Sequence, residues 1–177
     1  MYNGTYTKVV DESARIDSIP KWFEGLQMNF AENLLFSRDK TKTSSTRCTT
    51  GKEDNKTVFT EVREGCTEIR DITWKDLRKE VGRLANAMKA HGVGKGDRVM
   101  VVMSNSIVTA EIWLAAATIG AIFSSSSTDM GVKGVLQRAL QIEPKVSDKW
   151  ECGRGSIDRA STFSWTILPF ITARRST

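Results

Sequence analysis

The sequence predicts an α/β fold with a parallel sheet, and three observations carry that prediction. Val99-Met100-Val101-Val102-Met103 is a run of five apolar residues without alternation, as in a strand covered on both faces. Amphipathic helical patterns stand on either side of it. Gly92, Gly120 and Pro144 interrupt those patterns where the chain has to turn.

The elements can be justified in chain order. Between Ile19 and Leu35 lies an apolar, aromatic block in which Met28, Ala31, Leu34 and Leu35 suit a short amphipathic helix. Trp22, Phe23 and Phe30 are expected in the core, since no interleaved Arg or Lys makes them a base-stacking platform. Residues 37–57 are polar, with seven Ser or Thr among the ten positions from Thr41 to Thr50, and read as a solvated loop. Val58–Val62 and Thr67–Ile72 flank Glu64-Gly65 as a hairpin with a glycine turn. Thr73-Trp74-Lys75-Asp76 is a capping box that opens a helix with Leu77, Val81, Leu84 and Met88 on one face, ending at Gly92. After the strand at Val99–Met103, a second helix from about Val108 to Ile119 turns Ile112, Ala115, Ala116 and Ile119 inward. A short buried strand follows at Ala121–Phe123, then a serine-rich loop, and a third helix from about Val132 to Ile142. This order implies right-handed βαβ connections.

Composition narrows the function. The 177 residues carry 26 basic and 21 acidic side chains, a net +5 spread over the chain as +1, +2 and +2 for residues 1–60, 61–145 and 146–177. No clustered basic face points to nucleic acid. The longest nearly apolar run, Ile112–Phe123, is too short to span a bilayer, and no secretory signal is visible at the start. Cys48, Cys66 and Cys152 form no C-x-x-C pair, which argues against zinc and against a disulfide framework. A small-molecule substrate, a cytoplasmic location, and neither membrane nor nucleic-acid partners are expected.

Several apparent motifs fail on spacing. Gly51-Lys52 would need glycine at Thr46 and a hydroxyl at Glu53 to be a phosphate loop. Gly92-x-Gly94-x-Gly96 leads from helix to strand, the reverse of a dinucleotide loop, so a tight connector is the reading. His91 is the single histidine and sits in a helix's last turn, where its dipole role is sufficient. The loop Ser124–Asp129, after a strand and before a helix, is where an open α/β sheet binds ligands, although hydroxyls there also serve as caps.

Ile19-Pro20-Lys21-Trp22-Phe23-Glu24-Gly25 with Asn29-Phe30-Ala31-Glu32-Asn33-Leu34-Leu35 resembles the opening motif of acyl-CoA synthetases of the acetyl- and acetoacetyl-CoA type. Ile72–Leu77, Gly92–Val99, Ala115–Ser125 and Gly131–Arg138 are similar to successive blocks of the adenylate-forming, AMP-binding superfamily. The resemblance covers about residues 6–36 and 57–145. It implies an acid–thiol ligase: ATP activates a carboxylate, acetoacetate for this type, to an acyl-adenylate and pyrophosphate. Coenzyme A then takes the acyl group and AMP leaves. ATP, Mg2+ and coenzyme A are the cofactors so implied for the full-length family.

The family's Ser-Gly-Thr-Thr-Gly phosphate loop does not occur in these 177 residues. No catalytic or metal-binding residue is therefore expected here, and none of the three cofactors is expected to bind productively. The resemblance places Ser127 and Asp129 near the coenzyme A phosphates, as the candidate cofactor-binding residues. In that loop the family's Pro-Asp-Phe is Thr128-Asp129-Met130, and the acid before the helix arginine is Gln137.

The chain is thus expected to divide into a synthetase-type N-terminal segment (1–36), a polar loop (37–57), the beginning of an AMP-dependent ligase domain with an incomplete sheet (58–145), and an unrelated, disordered tail (146–177). Val146 and the residues after it show no strand pattern, and Val-Ser is what a splice-donor hexamer encodes in frame, so a translated intron is one origin for the tail. Two other readings stay open: a non-catalytic α/β binding module, and an abortive translation product.

Overall fold

The computed structural model describes residues 1–39, 41 and 46–149. In chain order these form β1 (Tyr2–Asn3), β2 (Gln27–Met28), α1 (Phe30–Leu35), β3 (Ser37–Arg38), β4 (Arg47–Cys48), β5 (Thr57–Val62), β6 (Ile69–Thr73), α2 (Trp74–Ala90), β7 (Arg98–Val102), α3 (Ile107–Thr118), β8 (Ile122–Ser126), α4 (Gly131–Ile142) and β9 (Val146–Lys149). Three two-stranded antiparallel pairs, β1–β2, β3–β4 and β5–β6, precede a three-stranded parallel sheet in the order β8-β7-β9.

Local chemistry explains most element boundaries. Thr73 accepts from the Asp76 amide while Asp76 accepts from the Thr73 amide, completing the capping box of α2. At the other end Gly92 has φ +79°. Its amide donates to Lys89 O and that of Val93 to Met88 O, which closes the helix in a left-handed cap. Gly120, at φ +75°, ends α3 in the same way. Leu77, Val81, Leu84 and Met88 are all buried, as their spacing predicts.

The core lies on one face of the parallel sheet. Val99 and Val101 of β7 join Leu77, Leu84 and Met88 of α2 and Ile112, Leu114 and Ala115 of α3 in one apolar cluster, to which α1 adds Ala31 and Leu35. Met100, also buried, stands outside that cluster. This is the alternation of a strand covered on both faces.

The motif around α1 acquires a physical account. Asn29 caps α1 by accepting from the Glu32 amide at 2.9 Å, and its own side-chain amide donates to Ala117 O and Thr118 O at the end of α3. Asn33 donates to Met1 O at 2.8 Å. The Lys52 amine donates to Asn33 O and Phe36 O, and Arg78 donates to Leu35 O, Lys52 O and Asp54. These two cations satisfy carbonyls at and around the C-terminus of α1 that no helical amide can reach.

Four expectations need correction. Val146–Lys149 is a strand: β9 pairs parallel to β7, with Val99 opposite Val146. The tail therefore begins within the sheet, and a backbone partner, not an apolar pattern, makes that strand. The rest of that tail, Trp150–Thr177, lies outside the described residues. The serine run is not all loop, because Ser124–Ser126 extend β8 opposite Met100–Val102, and Ile122 at the start of that edge strand is exposed. The polar segment 37–57 contains the β3–β4 pair and the bonds of Lys52. Trp22 and Phe30 are 64% and 53% exposed, so they are not core, and Met28 lies in β2 outside α1. Phe30 instead packs on Trp113, with ring centroids 5.4 Å apart.

Candidate functional site

The site follows from how the parallel strands end. β7 and β8 run side by side and stop together, and the Met103 amide donates to Ser126 O at 3.3 Å across their carboxyl ends. Beyond β8 the chain makes a single helical turn, Thr128–Met130, before Gly131 at φ +68° redirects it into α4. The connection from β7 leads to β8 on one side, and the connection from β8 returns past β7 to β9 on the other. Such a reversal opens a crevice at the carboxyl edge of a sheet, where ligands bind.

Ser127 and Asp129 both lie on this edge, and the structure brings them together. A side-chain hydrogen bond from Ser127 is the largest cause holding the Asp129 carboxyl below the usual carboxylate range, with a backbone amide adding to it. Both residues are exposed. Met130, at the cap position of α4, provides no side-chain cap bond, and the first turn of α4 holds no acidic residue. A helix start without an acidic side chain is a favourable place for an anion.

A second loop on the same edge carries no functional motif. Ser104-Asn105-Ser106 follows β7; Ser106 caps α3 by accepting from the Thr109 amide, and the Thr109 hydroxyl donates to Ser104 O at 2.8 Å. Asn105, Ser106, Thr109, Ala110, Trp113 and Phe123 line a depression of about 200 Å³ beside it. Its only signal in the chain is a polar triplet directly after a buried strand, and such triplets are common as plain caps.

The remaining predicted residues fall elsewhere. His91 is the exposed C-cap of α2. The Lys52 amine, bound to two carbonyls and pushed below its usual range by burial and by Arg78, has no free donor role in a phosphate loop. Gly94 donates its amide to Asp97, whose carboxyl is held down by the Lys145 amine at 2.9 Å and then by that amide. The Gly92–Gly96 connector is thereby a braced turn. Cys48 and Cys66 are free thiols. Among the described residues no group of three or more His, Cys, Asp or Glu could hold a metal, and no helix is long and apolar enough to cross a membrane.

One further acidic group is buried on α3, with no part in the lining of that depression. Glu111 of α3 is 5% exposed, and burial raises its carboxyl to about 7, with Glu80 and Glu61 adding to the rise and Arg70 and Arg83 opposing it.

Comparison with known proteins gives consistent results. The sequence profile of the AMP-binding enzymes matches residues 47–147. The acetoacetyl-CoA synthetases of Xenopus tropicalis and Mus musculus are 42% and 43% identical over 146 residues, which is 82% of this chain and 20% of each relative. A malonamoyl-CoA synthetase of Penicillium aethiopicum is 39% identical over 142 residues, 80% of this chain and 18% of the relative. Among solved structures, the acetoacetyl-CoA synthetase from Streptomyces lividans overlays with a TM-score of 0.67 at 28% identity, covering 84% of this chain and 21% of that one. The chain spans about a fifth of the length of the curated relatives it matches.

Proposed function

The chain belongs to the AMP-binding enzyme family, and from that membership we propose that its residues 1–147 serve an acetoacetate–CoA ligase. The reaction of the whole enzyme is acetoacetate, ATP and coenzyme A to acetoacetyl-CoA, AMP and pyrophosphate. The observation that carries this reading is the 42–43% identity to acetoacetyl-CoA synthetases, sustained over 146 residues. The overlay on a structure of that name supports it. The malonamoyl-CoA relative activates a different acid, so acetoacetate as the substrate is part of the proposal. A cytoplasmic location belongs to it too, supported by the free thiols of Cys48 and Cys66.

Within that reaction, the loop from Ser127 to Asp129 takes the coenzyme A phosphates. The start of α4 would supply amides and Lys133 a positive charge one turn on, and the Ser127 hydroxyl, whose one proton goes to Asp129 in the unliganded loop, turns from that carboxylate to the phosphate on binding. Asp129 holds Ser127 until then and faces away from the bound phosphate, because a carboxylate cannot itself face a phosphate favourably. ATP, with Mg2+, would need the family's glycine- and hydroxyl-rich loop. The 177 residues contain no Ser-Gly-Thr-Thr-Gly, and Thr49-Thr50-Gly51-Lys52 precedes β5 with its lysine already bonded.

The chain by itself therefore makes no acyl-adenylate, since losing even one transition-state donor costs about 10²–10³ in rate. Pyrophosphate–ATP exchange tests this: acetoacetate-dependent exchange by the purified chain, above a blank preparation, overturns it. Titration of coenzyme A against the chain, read by hydrogen exchange at residues 127–133, tests the loop. Protection there that disappears in Ser127→Ala supports the assignment, and unchanged exchange at saturating ligand refutes it.

A further inference from the structure

At one edge of the parallel sheet, four residues pair where their own sequence gives no reason to. Val146-Ser147-Asp148-Lys149 holds a single apolar residue, and Asp and Lys are types that strands disfavour. Without apolar alternation the register of a strand is weakly specified. β9 nonetheless lies parallel to β7 in one register, from Val99 opposite Val146 to Val102 opposite Lys149.

The chain just ahead of β9 is tied down instead. The Arg98 guanidinium donates to Ile142 O and Glu143 O, the carbonyls that end α4, where a cation also suits the helix dipole. Glu143, at φ +48°, turns the chain, and Pro144 after it is fully buried with its own φ fixed by the ring. The Lys145 amide donates to Arg98 O at 2.9 Å. Its amine donates to Gly92 O at 2.6 Å and to Asp97 at 2.9 Å, and Asp97 is itself fixed by the Gly94 amide. The ion pair alone is weak, because the Lys145 and Asp97 side chains are 47% and 31% exposed. The directional part is a set of charged donors on backbone carbonyls.

We infer that this latch of Asp97, Arg98 and Lys145 sets the register of β9, and that the place beside β7 accepts any four non-proline residues that follow Lys145. A slip by one residue carries the chain about 3.3 Å along β7, which parts the Lys145 amide from Arg98 O and draws Ile142 and Glu143 away from the guanidinium. Once the register is set, pairing needs only what every residue but proline brings, an amide and a carbonyl. β7 offers its own on this side because β8 occupies only the other. A strand can thus form where the apolar pattern of the domain stops.

The experiment is hydrogen exchange on the full chain, read as protection factors at residues 146–149, with β8 at residues 122–126 as the control on the other side of β7. Two variants separate the latch from the strand. Lys145→Met removes the ammonium and keeps the apolar stem. A quadruple variant, Val146→Thr, Ser147→Asn, Asp148→Asn and Lys149→Gln, replaces every side chain of β9. The expected result is protection at 146–149 that stays within about threefold in the quadruple variant and falls by about tenfold or more in Lys145→Met, while residues 122–126 are unchanged in both. Where Lys145→Met also exposes residues 122–126, Asp97→Asn takes its place, since it keeps an acceptor for the Gly94 amide and drops the charge facing Lys145. Protection lost in the quadruple variant overturns the inference in favour of the side chains of β9. Protection at 146–149 that survives the change at the latch, or that is absent from the unaltered chain, overturns it as well.

Discussion

The two crossover helices of the parallel sheet have the same length and opposite fates. α3 and α4 each run for twelve residues between parallel strands, yet α3 buries six residues and α4 none. Placement in the sheet separates them. α3 is apolar nearly all round and sits between β8 on one side and α1 and α2 on the other, so both its faces find partners. α4 packs on β7 and on the turn before it, and it is amphipathic with an aliphatic stripe to spare. The comparison shows that helical periodicity specifies which residues can be buried; the number of layers around a helix decides how many of them are.

Substitutions at matched positions press on this contrast. Leu114→Ala, in the fully buried centre of α3, should cost about 2–5 kcal/mol through lost transfer energy and the cavity left behind, read as a lower urea midpoint with an unchanged slope. A loss near zero would mean that α3 is not the centre of the core.

Glu111 gives the next largest effect and a pH dependence with a definite sign. Its carboxyl is raised from 4.5 to about 7 by burial first, so the folded state favours the neutral form. Stability from this group is fully present below pH 4.5 and is lost as pH rises through 7. Glu111→Gln should therefore match the wild type at pH 4.5 and exceed it at pH 8 by up to about 3 kcal/mol. Parallel pH–stability curves for the two proteins would refute the assignment.

The caps supply a smaller contrast. Ser106→Ala removes the side-chain acceptor at the start of α3 and should cost about 1 kcal/mol, whereas Met130→Ala at the equivalent position of α4 removes no cap bond and should cost less. Equal losses in thermal unfolding would dissolve the distinction. The smallest change is expected for Leu136→Ala on the outer stripe, below about 1 kcal/mol because the side chain is 58% exposed and loses little packing. A loss as large as that of Leu114→Ala would make the α4 surface a second core.

What the sequence discloses follows the same division. α2 is legible from residue 73 to residue 92 because its capping box, apolar spacing and glycine stop are all local. β7 is legible because burial on both faces leaves an unbroken apolar run. β8 and β9 are harder, since Ser124–Ser126 and Val146–Lys149 become strands through the amides and carbonyls of β7, which apolar periodicity does not register. Trp22 and Phe30 mislead for a related reason: an aromatic side chain is apolar whether or not a neighbouring layer exists to receive it. At the candidate site, it is the family resemblance of the loop that singles out Ser127 and Asp129, since hydroxyls before a helix are by themselves common as caps. Asn105 and Ser106 join that edge only once β7 and β8 lie side by side.

The central position of β7 also has a consequence in time. It is synthesised before either of its neighbours: its first partner on one side, Ile122 opposite Arg98, arrives 24 residues later, and Val146 opposite Val99 arrives 47 residues later. At about 5–20 residues per second, β7 spends roughly 1–5 s on the ribosome before its first edge can pair, and about twice that before its second. During that interval the already completed α1 and α2 can receive Val99 and Val101, whereas Met100, on the opposite face, waits for chain still to come. The hairpin β5–β6 and α2, which close on contacts made within their own stretch of chain, thus provide the first shelter for the strand on which the rest of the sheet is built.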